Sequence, residues 1–276
     1  MKLDTQQTPK WRQMLSEMDS PVEKVRLPKP TDGTRVSQDA EWCEVDLDGE
    51  TRRIRFHDYD EIYKVPGLYE AIFYESLKCC SPTKVTALLE ELLNDFRDDP
   101  KDLKVLDLGA GNGMVGEELR SRDAEVVVGV DIIPEAKEAT QRDRPGVYDD
   151  YFVTDFTDLP EKHEEKIRGK ALNCLTSVSA LGFGDIPPQA FIKALDLIET
   201  PGWAAFTIKE DFLREDDSSG FARLIRHLCS EEILQMQAYR RFRHRISMTG
   251  EPLYYVAMIA KKLRTVPASL LAAQSN

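Results

Sequence analysis

The run VLDLGAGNG at residues 105–113 limits what this chain can fold into more than any other feature. Val105, Leu106 and Leu108 give a short apolar strand. Gly109, Gly111 and Gly113 follow at intervals of two, and Val115 and Leu119 then recur at helical spacing. A strand that passes through closely spaced glycines into a helix is the opening of a βα unit. Glycine has no Cβ, so a ligand can approach the backbone closely there. Some twenty residues on, VVVGVD at 126–131 is a second apolar strand ending in a carboxylate. A third, at 151–154, runs into Asp155 and Phe156.

The chain keeps alternating. Helical spacing from Pro134 is followed by the strand at 151–154, another strand at 171–177, a helix marked by Phe191, Ala194, Leu195 and Ile198, a strand at 203–208, and a helix marked by Phe221, Leu224, Ile225 and Leu228. Alternation of this kind implies βαβ units and a parallel sheet. The end differs. Strands at 234–245 and 253–261 are joined by a short turn with no room for a helix, so they must be antiparallel. The expected fold is an α/β three-layer sandwich. Its mostly parallel seven-stranded sheet ends in an antiparallel pair, and an N-terminal lid segment precedes it. The lid, residues 41–98, holds a hairpin around Asp48 and Gly49 and two helical stretches. Ser81 offers an N-cap to the second. Residues 1–40 read as a loose polar arm, 99–262 as the core and 263–276 as a flexible tail.

Composition narrows the function. The formal charge of −12 over 276 residues disfavours a phosphate backbone, so no nucleic-acid partner is expected. No apolar run approaches the ~20 residues of a membrane span. The N-terminus lacks a secretory leader. Five cysteines, an odd number without CxxC pairs, read as reduced thiols and argue against a zinc site. A cytoplasmic protein without a metal is expected.

All three strand ends fall on one edge of the sheet, where open α/β folds bind ligands. Asp107 could orient an ammonium group. Asp131 could hold a ribose diol, with Ile132 against an adenine face. Asp155 could accept from an exocyclic amine, and Phe156 could line the base pocket. Gly111, Gly113 and Gly116 also satisfy the GxGxxG dinucleotide fingerprint, so a dehydrogenase must be considered. Asp107 would sit badly beside a pyrophosphate, however, and the closing antiparallel pair is unusual in a dinucleotide fold.

Taken together, VLDLGAGNG, the strand ending in Asp131, the TDF at 154–156 and the closing strand pair resemble the class I S-adenosylmethionine-dependent methyltransferases over about residues 100–262. The resemblance implies S-adenosyl-L-methionine as cofactor. Its methionine end would lie on Asp107, Gly109, Ala110, Gly111 and Gly113, and its ribose on Asp131. Its adenine would lie among Ile132, Asp155 and Phe156. SVSALGFG at 177–184 and YDEIY at 59–63 are similar to a methyltransferase-like group that includes the protein from the Williams–Beuren deletion region. That likeness adds Ser177, and Tyr59 as an aromatic cover for the cofactor. Asn173 departs from the acidic residue many relatives carry early in the fourth strand.

For the chemistry, His244, His57 and Glu210 are the catalytic candidates, with Asp185 a fourth polar group. Arg240, Arg241, Arg243 and Arg245 read as a solvated edge or, through Arg245, as a site for an anionic substrate group. The expected activity is metal-independent methyl transfer to a small-molecule substrate. A fold that keeps the cofactor without turnover, serving as a regulator or scaffold, and a protein methyltransferase are the competing readings.

Overall fold

The computed structural model describes residues 10–17, 20–28, 36–214 and 216–273. Seven strands form the main sheet: β4 (Lys104–Leu108), β5 (Val126–Asp131), β6 (Asp150–Val153), β7 (Cys174–Ser177), β8 (Gly202–Lys209), β9 (Leu234–Ile246) and β10 (Pro252–Lys262). Their order is β6-β5-β4-β7-β8-β10-β9. Strands β4 to β8 are parallel, and β10 runs antiparallel to both β8 and β9. The order reverses between β4 and β7, and a crevice opens beyond the strand ends at such a switch point.

The sheet is buried on both sides because each central strand is apolar at successive positions. Leu106, Val128, Leu175 and Phe206 face a layer of α6 (Glu161–Arg168), α7 (Pro188–Asp196) and α8 (Phe221–Ser230). Val105, Val127, Cys174 and Ala205 face α3 (Ser81–Phe96) and α4 (Met114–Arg120). Helix α6 has no sequence signal beyond its caps: only Ile167 is buried, while Glu161 and Glu164 lie in its first turn and Lys166 and Arg168 in its last.

A third apolar cluster belongs to the N-terminal part. β1 (Val22–Arg26), β2 (Trp42–Leu47) and β3 (Glu50–Arg55) form an antiparallel sheet. Asp48 and Gly49, both at positive φ, close the hairpin turn between β2 and β3. Beyond it come α2 (Tyr59–Lys64) and a single stretch of π-helix, Glu70–Ser76, a form that recurs at functional sites. Met114 and Met248 from the core plug into this cluster. Helix α5 (Pro134–Asp143) packs its Ala136 and Ala139 against Tyr63 of the lid.

Three expectations need correction here. The 1–40 segment contains α1 (Lys10–Glu17) and β1, and Trp11 rests on Tyr74 with ring centroids 5.6 Å apart. Residues 1–9, 18–19 and 29–35 of that arm lie outside the described residues. The tail carries a short helix, α9 (Ala268–Ala273), after the buried Val266. Ser81 does not cap α3: Cys80 holds the cap position, and the Ser81 hydroxyl turns to His244 at 2.6 Å.

Phe206 is fully buried at mid-sheet, edge-to-face with Phe191 at 5.0 Å. Phe206→Ala should lower unfolding stability by about 3–5 kcal/mol, measured by urea denaturation.

Candidate functional site

The loop after β4 is shaped by glycines that no other residue could replace without displacement. Gly109 lies at φ +76, and a Cβ there would stand 2.8 Å from Ile186 and 2.7 Å from Ala180. Gly111 lies at φ +53, with the Tyr63 hydroxyl 2.5 Å from where its Cβ would be. The amides of Gly109 and Ala110 both donate to the Val130 carbonyl. The Gly111 amide donates to Asp131 Oδ2 at 2.9 Å, and the Ile133 amide to Asp131 Oδ1 at 3.1 Å. The carboxylate that ends β5 thus fixes the loop that ends β4. Burial nevertheless pushes the Asp131 carboxyl above its ordinary range.

A cavity of about 400 Å³ opens on this loop. Gly109, Ala110, Gly111, Asp131 and Ile132 line one end, together with Asp155 and Phe156. Phe156 is buried, whereas Ile132 is 58% exposed and Asp155 is exposed. Asp155 Oδ1 already accepts from the Thr157 amide and hydroxyl, each at 2.7 Å. The lid supplies an aromatic wall. Tyr59 stacks on Tyr63 at 6.0 Å and on Phe73 at 6.3 Å. Burial raises the Tyr59 and Tyr63 hydroxyls well above their usual range, so both stay neutral.

Three residues expected at the cofactor do not reach the cavity wall. Asp107 is buried within the sheet, where Tyr148 donates to Oδ2 and Thr176 to Oδ1, each at 2.7 Å. Gly113 faces Val147 and Arg144 instead. Ser177 is fully buried, and Val178 and Ser179 line the cavity in its place. A strand's alternation sends neighbouring side chains to opposite faces, which a one-dimensional motif does not record.

The catalytic candidates separate as well. Glu210 is exposed, binds Arg241 at 2.9 Å, and does not line the cavity. His244 does line it, stacked on Tyr255 with ring centroids 4.2 Å apart. Burial, helped by the charge of Arg245, holds its pKa well below the usual value, so the ring is neutral. His57 and Asp185 both line the cavity and face each other, Nδ1 to Oδ2, at 3.4 Å. Arg245 is not free for an anion, because the buried Glu41 takes its Nη2 and also accepts from the Met248 amide. Arg240 likewise pairs with Glu91.

Sequence reasoning passed over a buried trio. Glu70, from the π-helix, accepts from Arg144 Nη1 at 2.8 Å and from Asn112 Nδ2 at 2.7 Å. Burial opposes the Arg144 charge, but Glu70 and Glu117 outweigh it and hold the guanidinium above its ordinary value. Only a polar residue inside the apolar run of Tyr69, Ile72 and Phe73 hinted at Glu70. Among the described residues, no group of three or more His, Cys, Asp or Glu is placed to hold a metal ion, and no helix is long and apolar enough to cross a membrane.

The fold is shared with a solved structure. The N-methyltransferase NodS from Bradyrhizobium japonicum, crystallised with S-adenosyl-L-homocysteine, superposes with a TM-score of 0.52 at 12% sequence identity, covering 76% of this chain and 98% of its own. The chain has the class I methyltransferase fold. Magnesium protoporphyrin IX methyltransferase from Synechocystis, solved with bound S-adenosylmethionine, is 15% identical and has a TM-score of 0.45, covering 66% of this chain and 79% of its own. Thermoplasma acidophilum 1320 is 14% identical with a TM-score of 0.47, covering 74% and 97%. No family model matches the sequence. No curated protein matches it either.

Within this methyltransferase fold, burial raises Asp107 to about 6, against the hydrogen bonds from Thr176 and Tyr148. The folded chain binds that proton more tightly than the unfolded chain does. This group therefore favours the fold at acid pH, and its contribution is lost as pH rises from about 4 to about 6. Asp107→Asn should flatten that part of a Tm-against-pH curve measured by calorimetry.

Proposed function

We propose that this chain is an S-adenosylmethionine-dependent methyltransferase with a small-molecule acceptor. The observation that carries the reading is Ile132. A large apolar side chain stands open in the cavity wall, immediately after the Asp131 carboxylate and in the same end as buried Phe156. Apolar area gains about 25 cal/mol per Å² when covered, and a flat heterocycle laid on Ile132 and Phe156 would cover it. Asp131 spends one lone pair of each oxygen on the Gly111 and Ile133 amides, which leaves lone pairs on both for a vicinal diol. Asp155 keeps acceptor capacity for an exocyclic amine. Gly109, Ala110 and Gly111 offer bare backbone to the methionine end, and Tyr59 covers it. NodS, which shares this fold, binds S-adenosyl-L-homocysteine, and that supports the same cofactor here.

The cofactor, when bound, supplies an electrophilic methyl group on a sulfonium. The chain's own work is to hold the acceptor in line with it and to exclude water, and orientation alone can supply about 7–11 kcal/mol of a barrier. In this reading residues 41–98 act as the lid, residues 99–262 as the binding core, and the aromatic enclosure suits a small molecule better than a polymer. Metal assistance is not invoked, because β7 ends at Ser177 and runs on into Val178 and Ser179, where a metal would want carboxylates. Five unpaired cysteines suit a reducing compartment such as the cytoplasm.

Calorimetry tests the reading. S-adenosyl-L-homocysteine should bind, and Asp131→Ala should weaken it by about tenfold or more, about 1.4 kcal/mol, with the circular dichroism unchanged. Tighter binding of NAD than of S-adenosyl-L-homocysteine overturns it.

A further inference from the structure

The fold joins His57, which follows β3, to Asp185, in the loop after β7. Nδ1 of the imidazole lies 3.4 Å from Asp185 Oδ2, with the two side chains 15% and 35% exposed. The ring is held edge-on by Tyr59 at 5.7 Å and by Phe183 at 5.5 Å. One residue beyond Asp185, Ile186 reaches within 2.8 Å of where a Cβ on Gly109 would stand. The pair therefore sits beside the glycine loop, at the junction of the cofactor end and the aromatic end. A separation of 3.4 Å is loose for a hydrogen bond, as such pairs often are before substrate closes the site. An imidazole with one nitrogen against a carboxylate keeps its proton on that nitrogen, which leaves Nε2 as a proton acceptor.

The aromatic end offers no free cation. Arg245 is closed by Glu41, His244 is neutral, and burial pushes the Cys79 thiol up to about 11 and the Tyr255 hydroxyl up to about 12. Phe56, Phe73 and Phe183 also line the cavity. An anionic acceptor would lose its hydration there and find no free cation. A neutral amine attacks without prior loss of a proton, and a thiol ionises readily. A hydroxyl, with a pKa near 10 even when phenolic, is the acceptor that needs a base.

We propose, on the methyl-transfer reading above, that His57 is the proton acceptor and Asp185 its positioning residue, and that the acceptor is a hydroxyl on a flat, mainly apolar molecule that carries no negative charge. The hydroxyl O–H bond breaks and its proton passes to Nε2 of His57. An oxygen electron pair forms the bond to the methyl carbon, and the carbon–sulfur pair stays with the sulfur of the donor. The protonated His57 is stabilised by the Asp185 carboxylate and gives its proton to solvent as the site opens.

The test uses the whole chain loaded with S-adenosyl-L-homocysteine and labelled with ¹⁵N-histidine. There are four histidines, and His57→Gln assigns the signal. His57 should carry its proton on Nδ1. Asp185→Asn should move the proton to Nε2, and Asp185→Glu should restore it. Three probes of similar size follow: 2-naphthol, its methyl ether and 2-naphthoate. 2-Naphthol and its ether should bind, only 2-naphthol should shift the Nε2 resonance of His57, and 2-naphthoate should bind more weakly than either. With labelled methyl donor 2-naphthol should be methylated, and His57→Gln should lower kcat about a hundredfold or more with little change in KM. Four results overturn the proposal: the proton on Nε2 in the unaltered chain, no binding of 2-naphthol, tighter binding of 2-naphthoate, or methylation indifferent to His57→Gln. Failure of S-adenosyl-L-homocysteine to bind overturns the methyltransferase reading itself.

Discussion

The contact between Glu70 and Arg144 joins the two parts of this molecule, and the geometry of the cavity depends on it. One partner comes from the π-helix of the lid and the other from the end of α5 in the core, and both are buried. Asn112, inside the glycine loop, donates to the same Glu70 oxygen. Removing one member of a buried pair typically costs about 3–5 kcal/mol, because the other charge is left without a partner. The lid therefore docks in one register. In that register Tyr63 lies over Gly111, and Arg142 reaches the Tyr63 carbonyl at 3.1 Å. Apolar contacts alone would tolerate sliding; a charge-assisted hydrogen bond to a fixed acceptor does not.

The same logic explains why so little charge is free inside. Arg245 enters the cavity wall but brings Glu41, and the Glu41 carboxylate is tied in turn to the Met248 amide. Glu41 precedes β2, so the pair also clamps the small N-terminal sheet to the end of β9. Charges at the lid's seams set position, and aromatic rings take much of the cavity wall between them. His57 with Asp185, the outer lone pairs of Asp131, Asp155 and Gln38 Oε1 are among the polar groups that remain available there.

Much of the architecture was legible in the sequence because burial on both faces of a sheet writes itself as continuous apolar runs. The central strands β4, β5, β7 and β8 carried such marks, whereas the closing pair was marked by its short turn and the hairpin by Asp48 and Gly49. Helix α6 did not, with one buried residue, and β1 was hidden because a five-residue edge strand with exposed Glu23 and Lys24 has almost no alternation. For the site, Asp131, Ile132 and Asp155 at the strand ends lie at the cavity, where the sequence puts a ligand edge. Asp107 and Ser177, still inside their strands, lie away from its wall, because motif spacing does not say which face a side chain takes. Pairs across the fold left no local trace at all: Glu210 with Arg241, Glu41 with Arg245, and Glu70 with Arg144.

His57 and Asp185 show where the line falls. Each was visible alone as a polar residue near an expected ligand edge. Their partnership comes from the strand order, because β7 lies beside β4 and its following loop turns back over Gly109. Gly182 and Gly184 at positive φ make that turn, and Phe183 between them faces the His57 ring. The glycine loop of β4 and the glycine-containing loop of β7 thus form one surface. The first leaves room for a ligand against bare backbone, and the second carries the carboxylate that orients the imidazole beside it.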